Sequence, residues 1–183
     1  MGQNAEADYQ GCFVFGDSSS SGPVQCNANN RVVMRAVGGI FMFAGGSTQA
    51  TYTGVVLPPG AQAWIAASDR AGKDNLMPVD VRNVLARVAA MSIATWNWKS
   101  QDASIRHMGP MAQDFHAAFG LGETDKGIST TDADGVALAA IQGLHQELMG
   151  RDERIAKQGV EITELRRMLL ELRRMIEVKA AMH

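Results

Sequence analysis

From Ile141 onward, apolar residues return in an alternating three-four rhythm: Ile141, Leu144, Leu148, Ile155, Ile162, Leu165, Leu169, Leu172 and Ile176. With Ile141 at heptad position a, the a sites read Ile, Leu, Ile, Ile, Leu, Ile. The d sites then read Leu144, Arg151, Gln158, Leu165, Leu172 and Lys179. A stripe sustained over more than three heptads predicts a long helix whose seam is covered by identical helices, an oligomeric coiled coil. The alternative is a long amphipathic helix laid on its own domain. Arg151 and Gln158 interrupt the seam, which lowers stability while selecting register. Met168 and Met175 widen the stripe, which suits three strands better than two, although the mix of Ile and Leu does not set the strand number.

The rest of the chain has a different texture. Residues 1–67 carry only five charged side chains (Glu6, Asp8, Asp17, Arg31, Arg35) and about half of the 19 glycines. Residues 136–183 carry 15 charges, with glycine only at Gly143, Gly150 and Gly159. One compact domain rarely changes so much from end to end. The length of 183 residues suits one ordinary domain, or two small ones with an extension.

The first part reads as β. "GCFVFG", "NRVVMRAVGGIFMFAGG" and "ATYTGVVL" are short runs rich in Val, Ile, Phe, Tyr and Thr, separated by Gly, Ser, Asn and Pro. In the second run Val32, Met34 and Ala36 alternate with Val33, Arg35 and Val37, so both strand faces are largely apolar. A segment so poor in charge cannot cover itself, and it is expected to bury one face against other copies, as in an intertwined fibre. An ordinary small sandwich is the competing arrangement.

The middle part is mixed. "PVDVRNVLARVAAMSI" opens with Pro78, spaces Val79, Leu85 and Val88 for a helix, and sets Asp80 against the positive end of the dipole. "ATWNWKS" reads as a short strand with Trp96 and Trp98 on one face, and "PMAQDFHAAFGLG" as a short helix closed by Gly120 or Gly122.

Composition excludes several functions. A net charge of -2 and a pI near 6.1 lack the basic footprint of nucleic-acid binding. No run of about 18 apolar residues spans a bilayer. The start, "MGQNAEADYQ", has neither the basic nor the apolar region of a secretory signal, and Glu6 stands where myristoylation wants Ser or Thr. Cys12 and Cys26 are read as two small buried apolar residues in preference to a disulfide, and no Cys/His cluster suggests zinc. "TDADGVALAAI" carries part of a calcium loop but has Thr130 and Ile141 where acids are needed. His107, His116, His145 and His183 show no metal-binding spacing. Neither a metal nor a cofactor is expected.

What remains is Ser68 and Lys73, five residues apart in "WIAASDRAGKDN". A serine becomes nucleophilic when a base takes its proton, and a lysine serves once desolvation has neutralised it. On an α-helix the two would point about 140° apart, so they meet only across a turn, which Gly72 and Asn75 can shape. On spacing alone, a hydrated loop is the reading that prevails.

The flanking blocks add to this. "WIAASDRAGKDNLMPVDVRNVLARVAAMSIATWNWKSQDASIRHMGPMAQDFHAAFGLG" and "ISTTDADGVALAAIQGLHQEL" closely resemble the endosialidase-type intramolecular chaperone domain, the auto-processing C-terminal domain of phage tailspikes, tail fibres and related bacterial fibres. The resemblance covers about residues 64–150, and "FVFGDSSSSG…NNRVVMRAVGGIFMF" is similar to the β-stalk found upstream of such domains. It implies that three chains associate, that the upstream β-fibre of the same chain is the folding client, and that a serine-lysine dyad cuts the bond before the serine. Carried over by position, Ser68 is the nucleophile, Lys73 the base and Ala67–Ser68 the bond cut. His107, in "HMGPMAQ", is linked to processing, or else orders its own loop. Asp69 and Arg70 belong to the motif, with mutual pairing or capping as their other role. Ala71 and Gly72 depart from larger residues, which puts the loop geometry in question.

The fold expected is therefore α+β: a β-rich trimeric stalk over 1–67, a mixed α/β chaperone-protease domain over 68–140, and a trimeric coiled-coil helix over 141–183. The competing function is a structural trimerisation cap of a fibre or adhesin that never cleaves. Either version sits on a phage virion or a bacterial surface, and so short a stalk suits a piece of a longer fibre better than a start at Met1.

Overall fold

The computed structural model describes residues 2–46 and 53–181. Residues 50–52 of the expected strand "ATYTGVVL" lie outside the described residues, as do Met1 and His183. The architecture is α+β, in two compact units, Met1–Leu76 and Met77–His183.

The first unit begins as a parallel coil. Strand β1 (Ala5–Glu6) pairs with β3 (Val24–Gln25), and β2 (Phe13–Gly16) pairs with β4 (Val32–Arg35), all in parallel. Every partner lies 19 positions further on: Ala5 with Val24, Phe13 with Val32, Gly16 with Arg35. Parallel neighbours need a crossover, and here each rung of the coil supplies its own. At one corner Gly11 and Asn30 both adopt positive φ, and a Cβ on Gly11 would run into the Asn30 side chain. Asp17 and Arg35 tie the other corner. Arg35 donates to Asp17 Oδ1 (3.1 Å) and to the carbonyls of Asp17, Ser20 and Gly22, while Asp17 also accepts from Ser19 and from Val37 N. The Ser19 hydroxyl and the Val37 amide hold the Asp17 carboxyl down at a pKa of about 2.

One expectation is corrected here: Cys12 and Cys26 form a disulfide. The coil turns back on itself so that their Cα atoms lie 6.5 Å apart, within the span a disulfide needs. The physical reason is the lack of a core. Among the described residues, the buried apolar side chains of this unit are Val24, Cys26 and Val56. A unit that buries so little gains from a covalent staple.

The remaining strands, β5 (Ile40–Gly45), β6 (Thr53–Leu57) and β7 (Ile65–Ala66), form an antiparallel sheet in that order. Gly54 is needed in it: its φ is 151°, and a Cβ there would meet the Met42 carbonyl.

In the second unit, helix α1 spans Val81–Ala90. It starts three residues after Pro78, because the Asp80 carboxylate caps it by accepting from Arg82 N and Asn83 N, both at 3.1 Å. Val79 therefore precedes the helix, and the half-buried face is Val81, Val84, Leu85 and Val88. Strand β8 (Ala94–Trp96) pairs antiparallel with β9 (His107–Gly109). Trp98 lies past the end of β8, in a turn closed by Gln101 N on Trp98 O (3.1 Å), yet its ring still meets Trp96 edge-on at 5.1 Å. Helix α2 (Ala112–Phe119) ends at Gly120, in the left-handed conformation at φ 64°.

Helix α3 runs from Thr130 to Ala181, 52 residues, and so begins well before the first heptad position at Ile141. "DADG" forms its first turns. Val136, Ala140 and Gly143 are buried, and α1 crosses the helix at Gly143. From Arg151 to Ala181 every residue is exposed in the single chain, the apolar a and d positions included.

Candidate active site

The geometry around Ser68 is built by the sheet edge before it and a short turn after it. β7 pairs with β6 through Val55–Ala66 and Val56–Ile65, and Ala67 N donates to Gly54 O at 3.3 Å. The chain leaves the sheet at the Ala67–Ser68 bond. Asp69 then opens a single 3-10 turn, Arg70–Gly72, its carboxylate accepting from Ala71 N at 3.0 Å. Gly72 N donates to Asp69 O (3.2 Å) and Lys73 N to Arg70 O (3.1 Å). This turn reverses the chain, and Lys73 Nζ donates to Ser68 Oγ at 2.7 Å.

The two side chains that spacing required to meet across a turn do meet. Asp69 performs the capping role that was one of its two readings. Gly72 contributes no special backbone: its φ lies outside the left-handed region, and nothing stands within 4 Å of the place a Cβ would take. Asn75, just beyond, does adopt positive φ at 55°. All residues from 61 to 80 are exposed in the single chain, Ser68 and Lys73 among them.

His107 belongs to the second unit. It is the cross-strand partner of Trp96, with ring centroids 4.8 Å apart and planes 30° apart, and its Nε2 lies 2.9 Å from Gln101 Oε1. Gln101 and the stacking role of Trp96 were not singled out from the sequence. Gln101 is six residues from His107 in an irregular loop, and no periodicity marks such a contact. Of the remaining histidines, His116 places Nδ1 2.9 Å from Leu121 O beside the C-terminus of α2, a structural position. Among the described residues, no group of three or more His, Cys, Asp or Glu side chains gathers as metal ligands. None of the described helices is long and apolar enough to cross a membrane.

No curated protein matches the chain. Residues 68–121, which begin at the serine of this turn and end just past α2, match the model of a peptidase family described as chaperone of endosialidase, the family its sequence blocks resemble, and this supports a chaperone role.

Proposed function

We propose that this chain is a self-cleaving intramolecular chaperone: three copies assemble, the part from Ser68 onward templates the β-rich segment before it, and Ser68 with Lys73 then cuts the Ala67–Ser68 bond. The observation that carries this reading is the 2.7 Å hydrogen bond between Lys73 Nζ and Ser68 Oγ, with Ser68 two residues past the end of β7. In the reaction, neutral Lys73 takes the Ser68 hydroxyl proton as Oγ adds to the Ala67 carbonyl carbon. The Ala67 C–N bond then breaks, and the proton returns from Lys73 to the freed Ser68 nitrogen. Water hydrolyses the resulting ester, leaving an Ala67 carboxylate and a Ser68 amine. The nucleophile is attached to the bond it attacks, so proximity supplies much of the rate and no substrate pocket is needed. Small side chains at Ala66 and Ala67 leave the carbonyl open. His107 takes part in processing.

Trimerisation rests on surfaces that a single chain leaves uncovered. The seam of α3 is exposed through residues 151–181. On the parallel coil, Phe13 and Phe15 lie beside Val32 and Met34 in register, and all four are exposed. Three copies would cover both surfaces, with the stalk over 1–67, the chaperone-protease domain over 68–140 and the coiled coil over 141–183. The setting is a phage tail fibre or a bacterial surface fibre, with the chaperone part released after the cut.

The second reading is a permanent trimeric cap without cleavage. It is favoured by the exposure of Ser68 and Lys73 in one chain, where nothing desolvates the lysine and its Nζ is the donor to Ser68 Oγ. Self-cleavage thus requires assembly to desolvate Lys73. Intact masses of the parent chain and of Ser68→Ala separate the two. The proposal expects fragments divided at Ala67–Ser68 in the parent and full-length chain in the variant. A parent that assembles as a trimer and stays full-length after long incubation would establish the cap.

A further inference from the structure

His107 is held from two sides by residues of its own hairpin. Trp96 lies against the face of its ring, and Gln101 Oε1 meets Nε2 at 2.9 Å. An amide oxygen only accepts, so Oε1 facing the ring calls for the tautomer with its hydrogen on Nε2. A neutral imidazole has one N–H, which leaves the lone pair on Nδ1. Among the described residues, Gln101 is the hydrogen-bond partner of the ring, and Nδ1 has none.

The loop that presents Gln101 is tied at both ends and in the middle. Gln101 N closes the turn on Trp98 O. Asp102 Oδ1 accepts from Ser104 N (2.9 Å) and Ser104 Oγ (2.7 Å), bonds that hold its carboxyl below the ordinary range. Arg106 spans the hairpin to Asn97 Oδ1 (3.3 Å) and Thr95 Oγ1 (2.9 Å). Trp96 is placed by its rings alone: it packs between His107 and Trp98, while its own Nε1 is buried without a partner among the described residues. An unmade buried hydrogen bond costs about 1–3 kcal/mol, so the indole sits where its face, and not its N–H, is used.

We propose that Gln101 is a positioning residue for His107, with Trp96 as its backing: together they fix the ring and keep its hydrogen on Nε2, so that Nδ1 is the nitrogen offered to self-processing. The inference rests on the reading that His107 takes part in that reaction. A neutral amide suits this task where a carboxylate would not. A carboxylate at the same place would favour the doubly protonated ring, which has no lone pair on Nδ1.

The test uses the full chain. Single-turnover cleavage is followed by intact mass between about pH 6 and pH 9 for the parent, Gln101→Met and Gln101→Glu. In a Ser68→Ala background, nitrogen-15 NMR of the imidazoles reads the tautomer directly. Gln101→Met is expected to slow cleavage about 10–100-fold while assembly is unchanged, since a misplaced acid-base group forfeits part of its usual contribution. Gln101→Glu is expected to be slow near neutral pH and to regain rate as pH rises, a signature that a merely structural role would not give. The NMR is expected to show His107 protonated on Nε2 in Ser68→Ala and a mixture once Gln101→Met is added. A His107 ring protonated on Nδ1 with Gln101 present overturns the inference, as do parental rates and pH profiles in both variants. A His107→Ala chain that cleaves at the parental rate, or a parent that never cleaves, brings down the processing reading, and the tautomer signal still decides whether Gln101 sets the ring.

Discussion

The crossing of α1 and α3 makes a sharp demand on one residue. A Cβ added at Gly143 would lie 2.9 Å from the Val81 carbonyl carbon and 3.0 Å from Leu85 Cβ, and nearer still to the Val81 carbonyl oxygen. None of these atoms is the free end of a flexible side chain, so Gly143→Ala is accommodated only if α1 moves away. Overpacking of this kind costs about 1–3 kcal/mol, and backbone obstacles place it at the upper end. Against this stands the helix preference of Ala over Gly, about 1 kcal/mol. The net expectation is a loss of about 2 kcal/mol. Gly150 in the same helix is the internal control, because nothing stands within 4 Å of its missing Cβ. Gly150→Ala should therefore gain about 0.5–1 kcal/mol. Both are measured by urea unfolding, followed by far-ultraviolet circular dichroism, in the Ser68→Ala chain at one fixed concentration. Equal or greater stability in Gly143→Ala would refute the close crossing, whatever Gly150→Ala does.

Reducing the Cys12–Cys26 disulfide, or replacing both residues by Ala, should weaken the coil by about 3 kcal/mol, from the loop it closes. Limited proteolysis within residues 2–37, with and without reductant, reads this. Asp17 titrates at about 2 in the folded chain, below the ordinary unfolded carboxylate, so its stabilising contribution is complete above roughly pH 4 and is lost as pH falls through about 2. Acid unfolding of Asp17→Asn should accordingly begin from a less stable coil and show a weaker pH dependence across that window; an unchanged acid profile would remove the role given to the Asp17–Arg35 corner. Gly72→Ala should cleave within about threefold of the parent rate, since open space surrounds that position and its backbone is one any residue adopts. A collapse of cleavage in that variant, by intact mass, would show that the turn needs its glycine.

Much of this protein is written in local pattern. The 3.5-residue repeat after Ile141 dictates a helix because side chains three and four apart share a face, whatever lies around them. The β-branched and aromatic runs dictate strands, and Gly120 dictates the end of α2, for equally local reasons. Ser68 and Lys73 were legible as a pair through the family resemblance of the blocks around them, not through their spacing, which by itself favoured a hydrated loop. Tertiary structure decided what depends on residues far apart or on atoms at a contact. The 19-residue parallel register, and with it the pairing of Cys12 and Cys26, follows from how the coil closes, which no short window contains. The start of α3 at Thr130 and not at Ile141 goes with packing against α1, since Val136 and Ala140 are buried ahead of the heptads and Gly143 within the first of them. The 2.7 Å approach of Lys73 to Ser68 needed a turn capped by Asp69, and the hold of Gln101 on His107 needed a hairpin loop tied by Asp102 and Arg106. Periodicity reports which face of an element is apolar; only the folded chain reports which atom that face meets.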